Sequence, residues 1–222
     1  MKHLNVAQQT QKNCDRFKRQ KVAERYPSDY RIGNKRDQRE KEAILRCIDF
    51  IPRDSHVLDF PCGTGRLIRL IKNKGHRVSG ADASASMLEL AKINFENAHS
   101  DPSMLGFYER DVFSSGFSDG EFDAVVCNRL FHHLSDREAR QMALSELKRI
   151  SRGAVIVSFF NCFSVSATCR KLRKSIKGEP LKDRIPIPMK RFSQEAHECG
   201  LKVSYRTAAR WGVSPLWYLV LE

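Results

Sequence analysis

Val57-Leu58-Asp59-Phe60-Pro61-Cys62-Gly63-Thr64-Gly65-Arg66 reads as a buried strand that ends in an acid, followed by a tight turn with two glycines and then a helix, Leu67-Ile68-Arg69-Leu70-Ile71. An open α/β sheet presents a cofactor loop in this way. Glycine lets the backbone approach a ligand where a Cβ would clash, and the helix N-terminus behind the turn offers unpaired N–H groups. The pattern implies a nucleotide-type cofactor site; an ordinary strand-to-helix turn is the plainer alternative.

Working outward, polar residues recur at the ends of successive strands. Arg77-Val78-Ser79-Gly80-Ala81 ends in Asp82, where a carboxylate can accept both hydroxyls of a ribose. A third run, Leu105 to Glu109, ends at Asp111, and a fourth, Phe122 to Cys127, leads into Asn128-Arg129-Leu130-Phe131-His132-His133-Leu134. Such strand ends build one shared crevice.

Two rival readings of the loop fail on residue type. A phosphate-cradling P-loop closes with Gly-Lys-Ser/Thr, and this chain has Gly65-Arg66-Leu67. A nicotinamide-binding G-x-G-x-x-G needs a small third residue where Ile68 stands, and an acidic Asp59 beside a pyrophosphate is unfavourable.

On these four motifs, in this order, the chain resembles the class I S-adenosylmethionine-dependent methyltransferases, in the branch with small-molecule acceptors. The resemblance runs from about Lys41 to Leu221. It implies that Asp59, Pro61, Cys62, Gly63, Gly65 and Arg66 hold the methionine part of S-adenosyl-L-methionine. By the same resemblance Asp82, with Ala83 and Met87 after it, takes the ribose, and Asp111 with Val112 lines the adenine. Asn128, Arg129 and Leu130 would lie beneath the sulfonium. Pro61 stands where the family often has glycine.

The remaining elements are expected to complete a single-domain, doubly wound seven-stranded α/β sheet. Helices are predicted over Lys35 to Phe50, over Ser84 to Asn97, from Ser135 through Ile150, and from Phe192 to Cys199, ended by Gly200. Ser135 with Glu138 three residues on has the form of a capping box. Ala154 to Phe160 is a continuous apolar strand suited to the sheet centre, and Leu201 to Tyr205 and Trp217 to Leu221 are the last two. Residues 1–34 form an N-terminal basic extension or flap, 35–222 the methyltransferase domain, and 161–191 an insertion after the fifth strand.

At 222 residues with 41% hydrophobic, the chain can bury the core of one ordinary domain. It has no apolar run of eighteen residues and a polar start, so it is expected to be cytoplasmic. Seven cysteines lack C-x-x-C spacing, which speaks against a zinc site and a disulfide framework; no metal is expected.

Charge is unevenly placed. Residues 1–49 hold thirteen Lys/Arg against seven Asp/Glu, and 170–191 hold nine against two, which together account for the net +13. In this architecture both segments lie near the carboxyl ends of the strands, where a basic rim would concentrate anionic partners. The candidates are a phosphorylated or amphiphilic small molecule, an anionic membrane surface contacted peripherally, and RNA; a solvated surface is the bland alternative. RNA binders usually interleave aromatics for stacking, and 170–191 has none. Residues 165–177 can form a basic amphipathic helix with Val165, Cys169, Leu172 and Ile176 on one face.

Methyl transfer asks for positioning and desolvation, and for a base only if the acceptor must lose a proton. His132 and His133 are the candidate bases, because they follow the fourth strand and titrate near neutrality. Tyr26, Tyr30, Arg31, Arg170 and Lys171 are candidate acceptor contacts. An RNA methyltransferase is the alternative within enzymes, and a catalytically silent cofactor-binding partner subunit the alternative outside them.

Overall fold

The computed structural model describes residues 35–96, 104–176 and 185–222. Tyr26, Tyr30 and Arg31, and the extension to which they belong, lie outside the described residues. The elements in chain order are α1 (Lys35–Ile48), β1 (His56–Asp59), α2 (Ile68–Asn73), β2 (Arg77–Asp82), α3 (Ala85–Glu96), β3 (Met104–Glu109) and β4 (Ala124–Cys127). A 3-10 turn (Phe131–His133) follows, then α4 (Arg137–Ile150), β5 (Val155–Phe160), α5 (Val165–Ile176), α6 (Met189–Glu198), β6 (Val203–Ala208) and β7 (Leu216–Leu221).

The seven strands form one sheet in the order β3-β2-β1-β4-β5-β7-β6. All neighbours run parallel except β7, which lies antiparallel to both β5 and β6. β1 stands between β2 and β4, so the chain turns outward in both directions from it. Open sheets bind ligands at that switch point, outside the carboxyl ends of the strands.

Central strands are predominantly apolar because both faces are covered. Alternate residues point to opposite faces. Leu58, Val125, Val157 and Leu219 pack with α4 and α6 through Leu144, Leu147 and Phe192. Val57, Val126, Ile156 and Val220 pack with α1, α2 and α3 through Ile44, Ile48, Ile71 and Leu88.

Several boundaries differ from the sequence reading. α1 ends at Ile48 rather than Phe50, α6 begins at Met189, and β6 runs from Val203 to Ala208 with a register shift between Val203 and Tyr205. The capping box at Ser135 is not formed: α4 starts at Arg137, with Asp136 at the N-cap and no side-chain bond from it to the first-turn amides. A long-range partner decides this. Arg140 donates to the carbonyls of Leu134 and Ser135 at 2.9 and 2.8 Å, and is itself held by both carboxylate oxygens of Glu195 at 2.7 Å. The pair is fully buried and ties α4, α6 and the approach to α4 into one unit. Removing one partner of such a pair costs about 3–5 kcal/mol.

Candidate functional site

The loop after β1 continues the sheet's hydrogen bonding before it turns. The Phe60 amide donates to the Val126 carbonyl and the Cys62 amide to that of Ala81, each at 2.8 Å, and the Phe60–Pro61 peptide is cis. The Gly65 amide then closes a turn on the Cys62 carbonyl at 3.0 Å. Gly63 and Gly65 both have positive φ, +55° and +75°. A Cβ on Gly65 would press on Ala91 and Ile68 at 3.3 Å, whereas one on Gly63 would meet nothing within 4 Å. Gly65 is thus required for close packing of the loop on α2 and α3, and Gly63 leaves open space in front of the loop.

Asp59 sits at the end of β1, 1% exposed, and neither carboxylate oxygen has a hydrogen-bond partner among the described residues. Burial pushes its carboxyl well above the usual range; Arg66 opposes this, and Asp82 adds to it. An unpartnered buried carboxylate invites a cationic ligand. The ammonium of S-adenosylmethionine fits that requirement in charge and in hydrogen-bonding capacity.

Asp82, at the end of β2, accepts the Gly63 amide on Oδ2 and the Ser84 amide on Oδ1, both at 2.9 Å. Burial raises its carboxyl, and the amides of Ser84, Gly63 and Ala83 pull it back. Met87, in the first turn of α3, is buried beside it, with its amide on the Ser84 carbonyl at 3.0 Å. Beyond β3, Asp111 Oδ1 accepts the Phe113 amide at 3.0 Å and Val112 is buried in the core. The Arg110 amide donates to the Asp82 carbonyl at 3.1 Å, so this corner adjoins the end of β2. Burial, then Asp59 and Asp82, hold the Cys62 thiol well above its ordinary pKa.

At the end of β4, Ser158 Oγ bonds to Asn128 Oδ1 at 2.8 Å and accepts the Arg129 amide at 2.7 Å. Arg129 has φ +63°, a left-handed conformation unusual for a residue with a Cβ. Leu130 packs against the core. The next turn carries the two histidines. His132 is buried, its ring stacked on Phe160 with centroids 4.2 Å apart and planes 12° apart. His133 is half-buried and tilts against His132 at 4.1 Å.

The sequence reading missed the carboxylates that hold the two arginines. Asp37 and Glu40, 2% and 1% exposed, project from the inner face of α1. Arg66 bonds Asp37 Oδ1 at 2.8 Å, while Glu40 pairs with Arg129 and Arg36. Burial raises the Asp37 carboxyl, but Lys41 and Arg66 more than offset this and hold it below its ordinary value. Tyr218 on β7 completes the cluster: it is fully buried, its hydroxyl has no hydrogen-bond partner among the described residues, and it feels the charges of Glu40, Arg66 and Arg129. The spacing of Asp37, Glu40, Ile44, Cys47 and Ile48 along one helical face was the available signal.

The insertion is anchored at the same rim. From β5 it leaves through Asn161, whose amide donates to the Pro215 carbonyl at 2.7 Å. It returns with the Ile185 amide on the His132 carbonyl at 2.8 Å and the Ile187 amide on that of Phe160 at 2.6 Å. Between them lies α5, in which Arg170 is half-buried and Lys171 occupies the next position.

Residues 57–153 match the family described as a methyltransferase domain. The chain is 27% identical over 194 residues to the 2-phytyl-1,4-naphtoquinone methyltransferase of Nostoc sp. strain PCC 7120, a match spanning 78% of this chain and 82% of that one. It is 29% identical over 102 residues to the tRNA (carboxymethyluridine(34)-5-O)-methyltransferase alkbh8 of Xenopus tropicalis, across 46% of this chain and 14% of that one. Among solved structures, magnesium protoporphyrin IX methyltransferase from Synechocystis PCC 6803 with bound SAM superposes with a TM-score of 0.71 at 15% identity, covering 100% of this chain and 98% of that one. At that identity the likeness is one of fold.

Proposed function

We infer that the chain is a class I S-adenosylmethionine-dependent methyltransferase and that its acceptor is an anionic, amphiphilic small molecule. The observation that carries this is the basic insertion, anchored to His132 and Phe160 beside the carboxyl ends of β4 and β5 and carrying both cationic and apolar residues. Two similar proteins are named for bulky acceptors, a quinone with a phytyl chain and a magnesium porphyrin. Those names support the amphiphilic part of the reading.

We further propose roles for the site residues. Asp59 takes the cofactor's ammonium, Asp82 the ribose hydroxyls, the Gly63–Gly65 turn lies against the methionine part, and Asp111 with Val112 borders the adenine. Bound S-adenosylmethionine supplies an electrophilic methyl on a sulfonium. The chain's own part is to hold both reactants in line and to exclude water. Burial of Asp59, Cys62 and Cys127 gives the crevice floor a low dielectric, which strengthens every charge interaction there. His133, exposed enough to meet a substrate, accepts the acceptor's proton where one must leave.

RNA is the second reading, favoured by the net charge of +13 and by the similarity to a tRNA methyltransferase over part of the chain. Incubating cell extract with the enzyme and labelled methyl donor, then separating lipid, RNA, protein and small molecules, decides between them. Label in the lipid or organic fraction supports the first reading. Label confined to RNA replaces it with the second.

A further inference from the structure

We propose that the outward face of α5, with Phe163 and Trp211 at its N-terminal end, seats the protein on an anionic bilayer surface. The five most exposed large apolar side chains among the described residues are Phe163 (75%), Val165 (60%), Leu172 (61%), Ile176 (78%) and Trp211 (60%). All belong to one region. Val165, Cys169, Leu172 and Ile176 are spaced by four, three and four residues, which places them in a single stripe along a helix about 18 Å long. The opposite face is the one that packs: Ser164 and Ala167 are each 6% exposed, and Ser164 Oγ caps the Ala167 amide at 3.1 Å. Hence the stripe faces away from the domain.

Trp211 reaches the same surface from the β6–β7 connection. The Val165 and Ser166 amides donate to the carbonyls of Gly212 and Val213 at 3.0 and 3.2 Å, which fixes the start of α5 beside that loop. Trp211 is itself braced edge-on against Trp217 at 4.6 Å, so its exposure is not that of a loose loop tip.

Charge selects the occupant. The segment from Arg170 to Arg191 has nine basic residues against two acidic ones. A second copy of the chain docked on this stripe about a twofold axis would bring two such segments together, which is unfavourable. RNA would use the cations but has no need of exposed Leu, Ile and Val. An anionic bilayer uses both: apolar side chains enter the headgroup boundary, Trp settles at the interface, and Lys and Arg meet the lipid phosphates. The inference rests on the amphiphilic-acceptor reading, since the docked face adjoins the segment that returns to His132, where a lipid-borne acceptor would enter.

The test is co-sedimentation of the full chain with acceptor-free vesicles, either phosphatidylcholine alone or with about 30% phosphatidylserine. We expect binding to the anionic vesicles, weakened but not abolished between about 0.1 and 0.5 M salt. Leu172→Ser with Ile176→Ser should reduce partitioning by about tenfold or more while leaving Tm and S-adenosylmethionine affinity unchanged, and Trp211→Ser should reduce it by as much with S-adenosylmethionine affinity unchanged. The proposal is overturned by absence of vesicle binding at low salt, by equal binding to both vesicle types, or by variants that bind like the wild type. Sedimentation of the wild type as a dimer that the variants lose, or RNA binding that the variants lose, would also overturn it. The vesicles carry no acceptor, so failure here leaves the extract fractionation as the independent judge of the acceptor.

Discussion

Asp82 and Gly63 are joined across the crevice: the carboxylate at the end of β2 accepts the amide of the turn after β1 at 2.9 Å. The residue proposed to hold the ribose therefore also sets the loop against which the rest of the cofactor would lie. Asp82→Ala should lower S-adenosylmethionine affinity by about tenfold to a hundredfold, the equivalent of roughly 1.5–3 kcal/mol for bonds to a charged acceptor. Gly63→Ala is the complementary probe. Open space surrounds the added methyl, so its stability cost is only the left-handed backbone, about 1 kcal/mol. Calorimetric affinity that falls further than this reports a ligand in that space; an affinity loss no larger than the stability loss would remove Gly63 from the binding surface.

Asp59 makes a prediction about pH. Burial raises its folded-state carboxyl well above the ordinary carboxylate range, so the cofactor-free protein is most stable, relative to an uncharged substitute, below that ordinary range. This relative stability declines as pH rises through the interval up to the folded pKa and is level beyond it. Asp59→Asn should accordingly raise the Tm of the cofactor-free protein at neutral pH, while weakening cofactor binding by about tenfold to a hundredfold through loss of the ammonium's partner. Where Asp59 is protonated in the free protein, binding the cationic cofactor releases a proton. Calorimetry in buffers of different ionisation enthalpy measures that release, and its absence throughout the acid-to-neutral range would count against Asp59 as the partner.

The strand ends were legible in sequence because each apolar run stops at a polar residue, and Asp59, Asp82 and Asn128 fall on neighbouring strands as that pattern implies. What supports them was less visible. Glu40 meets Arg129 across 89 positions, and Arg140 meets Glu195 across 55. Local spacing carries no information on such pairs. The misread cap at Ser135 has the same origin, since the approach to α4 follows the buried Arg140 rather than the local Ser-x-x-Glu pattern. β6 was displaced toward the C-terminus for another reason: Lys202 pairs with Glu222 through both backbone bonds, 2.7 and 2.9 Å, so the edge strand takes its register from β7.

Glu40 and Arg129 should be energetically coupled. Arg129 retains 25% side-chain exposure, so solvent compensates part of the loss, and Glu40→Ala is expected to cost about 1–3 kcal/mol. In a double-mutant cycle with Arg129→Ala, thermal or urea unfolding should show a coupling of about 1 kcal/mol. Additive single changes would mean that Glu40 holds Arg36 or Arg66 instead.

Tyr218→Phe separates binding from structure by opposite signs. A buried hydroxyl without a partner among the described residues contributes nothing favourable to the free fold, so its removal should leave Tm unchanged or raise it. If the hydroxyl reaches the cofactor's carboxylate between Arg66 and Arg129, affinity should fall by about tenfold. A lowered Tm with intact affinity would make it a packing residue.

The two histidines should part company because their surroundings differ. His132 lies flat on Phe160 with 3% exposure, its carbonyl holding the returning insertion through Ile185. His132→Ala removes a stacked ring from a closed site and should lower stability by about 1–3 kcal/mol. His133 is the less buried of the two rings. If proton removal from the acceptor limits the rate, His133→Ala should lower kcat by about 10²–10⁴ with cofactor affinity nearly unchanged, and should erase the acidic limb of the kcat/KM pH profile. An unchanged profile with a small effect on kcat would leave no base among these residues, and would point to an acceptor that reacts already deprotonated, its charge held by the basic rim.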